Sequence, residues 1–400
     1  MSAPQPADAV VIGGGVIGAA IAYHLGLSGL GRVVLCDQGR TAAQGATSRS
    51  GGLLRLHHTA SPDIALTARS LPVFENWAEV IGGDCGYRRT GFVMLVGEQH
   101  TDALRENCER VGAFAGHRRS EVIGTDDVRT LYPGLSVEGV GAAAYEPEGG
   151  YADPAATAGA LFTAARRLGV SPSEGVRAER VVERSGAVTG VQTSIGLIES
   201  PLVILASGAW GSAPAAHLGI QIPVIARRIG LAQASLPGAG RRGSPVSVPT
   251  CVDDTTGGYF RPEGLDRFYF GVPSNPDVRL DHDVAPLTPQ EVDAAVAAIS
   301  RRVPAAAKAP LVGTRSGLDG YTPDRRPVVG AAGPEGLYLA LGFSGGGFKL
   351  APAVAELAVR EITEGGAVIG KAAQELLEPY RPQRFLGGRP IVPEAPYDHM

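Results

Sequence analysis

The sequence predicts an α/β protein in which a doubly wound, parallel-sheet domain is interleaved with a mixed-sheet α+β domain. Three observations carry that reading. Ala9-Val10-Val11-Ile12 runs into Gly13-Gly14-Gly15-Val16-Ile17-Gly18 and, a helix length later, into Val33-Val34-Leu35-Cys36-Asp37: strand, glycine turn, helix, strand, acid. A second strand, glycine loop and helix follow at Leu337 to Ala340, Gly342 to Lys349 and Ala351 to Glu364. Between them, the unbroken apolar run Leu202 to Ala206 suits a strand buried in a parallel sheet. One sheet is therefore visited three times, and the intervening stretches build the other domain. The expected division is 1–57, 150–215 and 311–385 for the first domain and 58–149 and 216–310 for the second, with 386–400 as a peripheral tail.

Each element has its own signal. Residues 61–131 read as helices broken by turns, with Asp63 to Trp77 and Glu98 to Val111 the clearest amphipathic stretches. Tyr87 to Val96 reads as a strand of the second domain. Tyr145 to Pro154 is a chain of turn signals that returns the chain to the first domain, where a helix spans Pro154 to Leu168. Strand-like pieces follow at Val176 to Glu183 and Val188 to Thr193. After the apolar run, Ser207 and Gly208 permit close backbone approach at its end. Ile225 to Ala234, Gly258 to Arg261 and Arg267 to Val272 are strand candidates of the second domain, and a helix from Pro289 to Val303 closes it. The hairpin Gly258 to Gly271 is aromatic on an aromatic-poor chain, which suits either a pocket wall or cross-strand packing.

The opening unit has a direct chemical reading. Gly13 makes the tight turn, Gly15 lets the backbone approach a pyrophosphate, and Gly18 lets helix and strand pack closely. Phosphates then rest on the helix N-terminus, where unpaired N–H groups and the macrodipole favour negative charge. Asp37 stands about twenty residues beyond the turn, the spacing of an acid that accepts from an adenosine ribose. Its charge disfavours a 2′-phosphate. The small-residue loop Gly45 to Arg55 extends the cradle.

These residues, taken in order, resemble the FAD-dependent amino-acid and amine oxidoreductases of the D-amino-acid oxidase, glycine oxidase and sarcosine oxidase type. The resemblance spans about residues 8–380. It rests on the opening unit, S-R-S-G-G-x-x-R at Ser48 to Arg55, G-x-x-D-P at Gly150 to Pro154, A-x-G-A-W at Ala206 to Trp210, T-P-D-x-x-P-x-x-G at Thr322 to Gly330, and the last glycine loop. It implies a Rossmann-like FAD-binding domain and FAD contacts at Gly13, Gly15, Val16, Ile17, Gly18, Asp37 and Gln38. Further contacts fall at Ala46, Thr47, Ser48, Ser50, Gly51, Gly52 and Leu53, at Ala178, and at Ser207, Gly208 and Trp210. The last group is Gly342, Ser344, Gly345, Gly346, Gly347, Phe348 and Lys349, whose N–H groups stabilise reduced flavin.

The implied reaction moves a hydride from the carbon bearing nitrogen to flavin N5, leaving an imine. Arg55 and Lys349, matching the family's substrate clamp, hold the carboxylate of an amino acid or N-alkyl amino acid, and Tyr259 and Tyr269 join them in the pocket. A family cysteine that carries flavin covalently is replaced here by Gly317 or Leu318, so FAD is expected to be non-covalent. The hairpin has no lysine to activate oxygen, Tyr269 or a neighbour falling there, and the acceptor is O2 or another oxidant. His57 and His58 are expected at the surface or the pocket rim. Alternatively the substrate is a 2-hydroxy acid, with His57 or His58 as base, or the chain is the flavin subunit of a larger electron-transfer complex.

Composition excludes other classes. A net charge of −4 gives no electrostatic reason for nucleic acid. No apolar run reaches the roughly 18 residues of a membrane span, and the first residues lack a signal-peptide pattern. A soluble, cytoplasmic protein is expected. Cys36, Cys85, Cys108 and Cys251 are scattered, without metal-ligand spacing, and read as reduced structural thiols. Lysine occurs only at Lys308, Lys349 and Lys371, which makes Lys349 conspicuous.

Overall fold

The computed structural model describes residues 5–40, 45–273, 275–280, 284–364, 371–387 and 390–399. β1 (Ala9–Ile12) leads into α1 (Val16–Ser28) and β2 (Val33–Asp37). α1 ends because Gly29 adopts φ +70° and turns its N–H back to Gly26 O. Next come β3 (Leu53–Leu54), α2 (Ser61–Glu75), α3 (Trp77–Val80), β4 (Phe92–Val96), α4 (Thr101–Phe114), β5 (Glu121–Ile123) and α5 (Thr125–Leu131). β6 (Ala142–Glu146) and β7 (Gly150–Tyr151) precede α6 (Pro154–Arg167). Asp153 fixes the start of α6 by accepting from the N–H groups of Ala155 and Ala156, both at 2.9 Å, with Pro154 at the first helical position. The D-P pair of the crossing motif is thus a helix cap.

β8 (Ser171–Glu174), β9 (Ala178–Arg184), β10 (Ala187–Thr193), β11 (Gly196–Glu199) and β12 (Val203–Leu205) follow. β13 (Ile225–Ser235), β14 (Thr250–Asp253), β15 (Gly258–Glu263) and β16 (Arg267–Gly271) lead to α7 (Pro289–Arg302), opened by a capping box between Thr288 and Glu291. β17 (Leu311–Tyr321), β18 (Val328–Ala331), β19 (Leu337–Leu341), α8 (Gly347–Glu364), α9 (Lys371–Leu377) and α10 (Gln383–Leu386) complete the order.

The first sheet runs β18-β19-β12-β1-β2-β8, parallel throughout except for β18. β1 explains its unbroken apolar sequence. Ala9 and Val11 pack among residues of α1 and α8, whereas Val10 and Ile12 face Val181, Val188 and Val191 of the three-stranded sheet β11-β10-β9. Burial on both faces leaves no polar position. The second sheet runs β17-β13-β16-β15-β14-β4-β6-β5, antiparallel except where β14 meets β4. Phe260, Phe268 and Phe270 fill its core against Ala295 and Ile299 of α7. This is the doubly wound domain and mixed-sheet partner expected from the sequence.

Several local expectations are corrected. In the stretch 87–96 only Phe92–Val96 is strand, because Gly91 at φ +78° turns the chain beforehand. The turn-rich stretch 145–154 contains the end of β6 and all of β7; its turn signals are spent at Pro147 to Gly149. β17 lies within the block assigned to the first domain, yet it pairs with β13 over its length, so the change of sheet comes at Tyr321. The tail is docked: Ala395 and Tyr397 are buried, and the Tyr397 hydroxyl lies 2.7 Å from His57 Nε2 and accepts from Asn107 Nδ2 at 2.8 Å. Among the described residues, no helix is long and apolar enough to cross a membrane.

Candidate active site

A cavity of about 820 Å³ runs between the two sheets, at the upper end of the roughly 300–1,000 Å³ usual for ligand sites. The opening glycine turn forms one end. Gly13 sits at φ +106°, and a Cβ there would lie 2.3 Å from Ala206 O. A Cβ on Gly18 would lie 1.8 Å from Gly13 O, so Gly18 serves helix packing and does not line the cavity. Gly15, Val16 and Ile17 line it; the Val16 N–H donates to Thr47 Oγ1 at 3.0 Å. Asp37 and Gln38 line the cavity beyond the turn. Asp37 also accepts from Gly14 N–H at 2.6 Å and Gly39 N–H at 2.7 Å, holding the turn itself in addition to the ribose role expected of it.

The first small-residue loop forms the floor, with Ala46, Thr47, Ser50, Gly51, Gly52 and Leu53 on the cavity. Ser48 is not among the lining residues and accepts instead from the Arg49 guanidinium. Gly52, at φ +68°, allows the crossing with Ala152, whose carbonyl a Cβ would meet at 2.1 Å. Ala178, Ser207, Gly208 and Trp210 border the same space. In the last glycine loop Ser344, Gly345, Gly346, Gly347, Phe348 and Lys349 line the cavity, while Gly342 packs on Thr322. Ser344 holds φ +51° because its N–H bonds Gly320 O at 2.9 Å and its Oγ accepts from Thr322 N–H at 3.1 Å. Glycine-lined walls, a helix N-terminus and an acid at the far strand end fit a long dinucleotide such as FAD. A side chain at Gly15 would meet only the Thr47 hydroxyl, at 3.2 Å, before entering that space, whereas one at Gly51 would press on Leu53 and Tyr259.

The charged end is more elaborate than the sequence indicated. Arg55, His58, Asp63, Arg326 and Lys349 all line it. Arg326 is ion-paired with Asp63, which also accepts from Tyr380 Oη at 2.8 Å. Among the described residues Arg55 Nη1 is buried with no hydrogen-bond partner, and Lys349 Nζ makes a long contact, 3.5 Å to Gly346 O. Burial, with the Arg55 cation beside it, holds Lys349 down to about 7. Burial likewise pushes Glu146 up to about 7; its Oε2 accepts from Leu56 N–H at 2.7 Å and its charge faces Arg55. Asp63 and Arg326 were missed because their only sequence signals, an acid in a helix first turn and the second arginine of a surface-like R-R-P, are commonplace.

Two expectations change here. Tyr259 borders the cavity against Gly51, but Tyr269 does not: its ring lies under the guanidinium groups of Arg261 and Arg315, at 4.8 and 5.5 Å. Neither histidine is at the surface. His57 is fully buried between Tyr397 and Ser120 and does not line the cavity, whereas His58 does. Asp319 and Tyr321, unassigned from sequence, also face the cavity.

Over residues 8–361 the chain matches the family model described as "DAO: FAD dependent oxidoreductase". It is 29% identical over 369 residues to the mitochondrial sarcosine dehydrogenase of Homo sapiens, covering 87% of this chain and 38% of that protein. The chain therefore spans well under half of that relative's length. In fold it is similar to L-proline dehydrogenase from P. horikoshii, with a TM-score of 0.84 at 23% identity, covering 96% of this chain and 99% of the other. It is also similar to glycine oxidase from Geobacillus kaustophilus, with a TM-score of 0.81 at 24% identity, covering 95% and 99%.

Proposed function

The chain belongs to the FAD dependent oxidoreductase family, and from that premise we propose that it oxidises the C–N bond of a small amino acid or N-alkyl amino acid to an imine. The pairing of Arg55 and Lys349 carries this reading. Two basic side chains share one buried cavity end, one with an unpartnered nitrogen and the other held near neutrality by burial and by the Arg55 charge, so that this end favours an anion. A substrate carboxylate supplies that anion. Sarcosine, proline and glycine, the compounds named in the three relatives, each place a nitrogen and a carboxylate on one carbon. When bound, FAD supplies the two-electron acceptor, and O2 or another oxidant takes the electrons in turn. Tyr259 and Tyr321 wall the pocket and exclude water. The hydroxy-acid alternative is weakened because His57, one of its two candidate bases, lies off the cavity. Anaerobic bleaching of the flavin band by amino acids and N-alkyl amino acids, with 2-hydroxy acids inert, is the expected result of a substrate screen. Bleaching by hydroxy acids alone overturns the assignment.

The flavin is expected to leave the polypeptide entirely as FAD on acid precipitation. Among the described residues Cys36 is the one cysteine on the cavity, beside Asp37 at the strand end, with burial pushing its thiol up to about 12. A thiol so reluctant to ionise is a poor nucleophile. Gly317, in the family's attachment region, faces the Arg49 side chain. Flavin retained in the precipitate would contradict non-covalent binding. All four cysteines are buried and unpaired, which supports a reducing, cytoplasmic setting.

Carboxylate affinity is expected to fall as pH rises through about 7. A bound anion favours protonated Lys349 and raises its pKa, so above the free-enzyme value binding must take up a proton. Glu146 ionises in the same window and adds negative charge near Arg55, weakening binding in the same direction. Acetate titrations of the holoenzyme from about pH 6 to about pH 8 should show this slope. It should lessen in Lys349→Met and lessen further when Glu146→Gln is added. A flat wild-type profile would remove Lys349 from the anion site.

A further inference from the structure

We propose that His58 is a third member of the substrate-carboxylate site, a neutral N–H donor that completes the pair formed by Arg55 and Lys349. The inference rests on the carboxylate reading above. His58 is 7% exposed, lines the cavity at its charged end, and its Nε2 has no hydrogen-bond partner. A buried polar atom left without a partner requires a ligand or water to satisfy it. Arg55 Nη1, in the same cavity, is orphaned likewise. The cations that act on His58 are Arg55, Lys349 and Arg326, with His57 behind them. Burial first, and these charges after it, keep the ring uncharged. With Arg326 balanced by Asp63, the Arg55 charge and Lys349 beside His58 still favour an anion, and the tautomer that presents Nε2–H to it is the one such an anion selects. The adjacent His57 shows the contrast: Nε2 and Nδ1 are both engaged, by Tyr397 at 2.7 Å and Ser120 at 3.3 Å, so its role is structural.

Acetate, which carries the carboxylate and nothing else, is the probe, titrated into oxidised holoenzyme and followed by the flavin spectrum. Loss of one hydrogen bond to a charged group corresponds to about tenfold weaker binding or more. His58→Leu should show that loss at unchanged FAD content, and His58→Gln, which retains an N–H donor, should recover most of it. A purely structural role would not track donor capacity in this way. Independently of any variant, acetate should move a histidine ring N–H proton of the wild-type holoenzyme downfield in the NMR spectrum. Wild-type affinity in His58→Leu, or no acetate effect on any ring N–H, overturns the inference. So does a variant that keeps acetate affinity but binds amine substrates poorly, since His58 would then face the nitrogen. If Arg55→Ala weakens acetate and His58→Leu does not, this inference fails alone. If wild type binds no acetate, the carboxylate reading fails with it.

Discussion

Alanine at Arg55 or Lys349 is expected to weaken binding of a carboxylate substrate by roughly tenfold to hundredfold each, the loss of one charge-assisted hydrogen bond. FAD should stay bound. Both side chains line one cavity end, where the Arg55 charge lowers the pKa of Lys349 and both lower that of His58. Groups coupled in this way do not lose binding energy additively, so the double variant should fall short of the product of the single effects. Arg55→Lys should recover only part of the loss. Its ammonium cannot reproduce the two-pronged guanidinium geometry, and it would place a second desolvated amine beside Lys349. The sharpest readout compares kcat/KM for an amino acid with that for its decarboxylated amine. Wild type should favour the acid strongly, and either alanine variant should erase much of that preference. If both variants keep the wild-type ratio and lose flavin instead, these cations serve the cofactor and the amino-acid assignment loses its support.

What the sequence reveals and what it hides follow one physical division. β1, the glycine turn, α1 and Asp37 were legible because local chemistry alone dictates them: an unbroken apolar strand, a turn that excludes side chains, an acid at fixed distance. The D-P start of α6 and the Thr288-Glu291 box of α7 are local in the same sense. β8, with the sequence Ser-Pro-Ser-Glu, was not legible. It is an edge strand whose only warrant is the hydrogen-bonding edge that β2 offers it. The docking of Tyr397 on His57 spans 340 positions, and the Asp63–Arg326 pair links two segments brought together only by the folded sheets. Long-range partners leave no periodic trace. Arg55 and Lys349 stand out in the sequence because each ends a glycine loop at a position matching the family's clamp, whereas the burial of His58 leaves no mark in the sequence.

Gly13→Ala is expected to yield a protein that retains little or no FAD and unfolds at markedly lower temperature. At φ +106° a side chain is strained whatever its surroundings, at about 1–2 kcal/mol for an ordinary residue at positive φ. The larger penalty is steric: the added methyl would lie 2.3 Å from Ala206 O and 2.8 Å from Ala206 C, backbone atoms at the end of β12 that cannot rotate aside. Relief requires β1 and β12 to separate where they are paired through Ile12 and Leu205. Gly15→Ala provides the contrast. Gly15 has φ −70°, which any residue tolerates, and its Cβ would meet only the Thr47 hydroxyl, at 3.2 Å. Its unfolding temperature without cofactor should therefore stay near wild type. FAD should still bind at least about tenfold more weakly, because the methyl enters the space where the pyrophosphate approaches the α1 N-terminus. Thermal melts of the apoproteins, set beside FAD titrations, separate a turn that cannot form from a cradle that is filled. Equal melting temperatures for Gly13→Ala and wild type would show that the turn adapts. Unchanged FAD affinity in Gly15→Ala would place the phosphates elsewhere in the cavity.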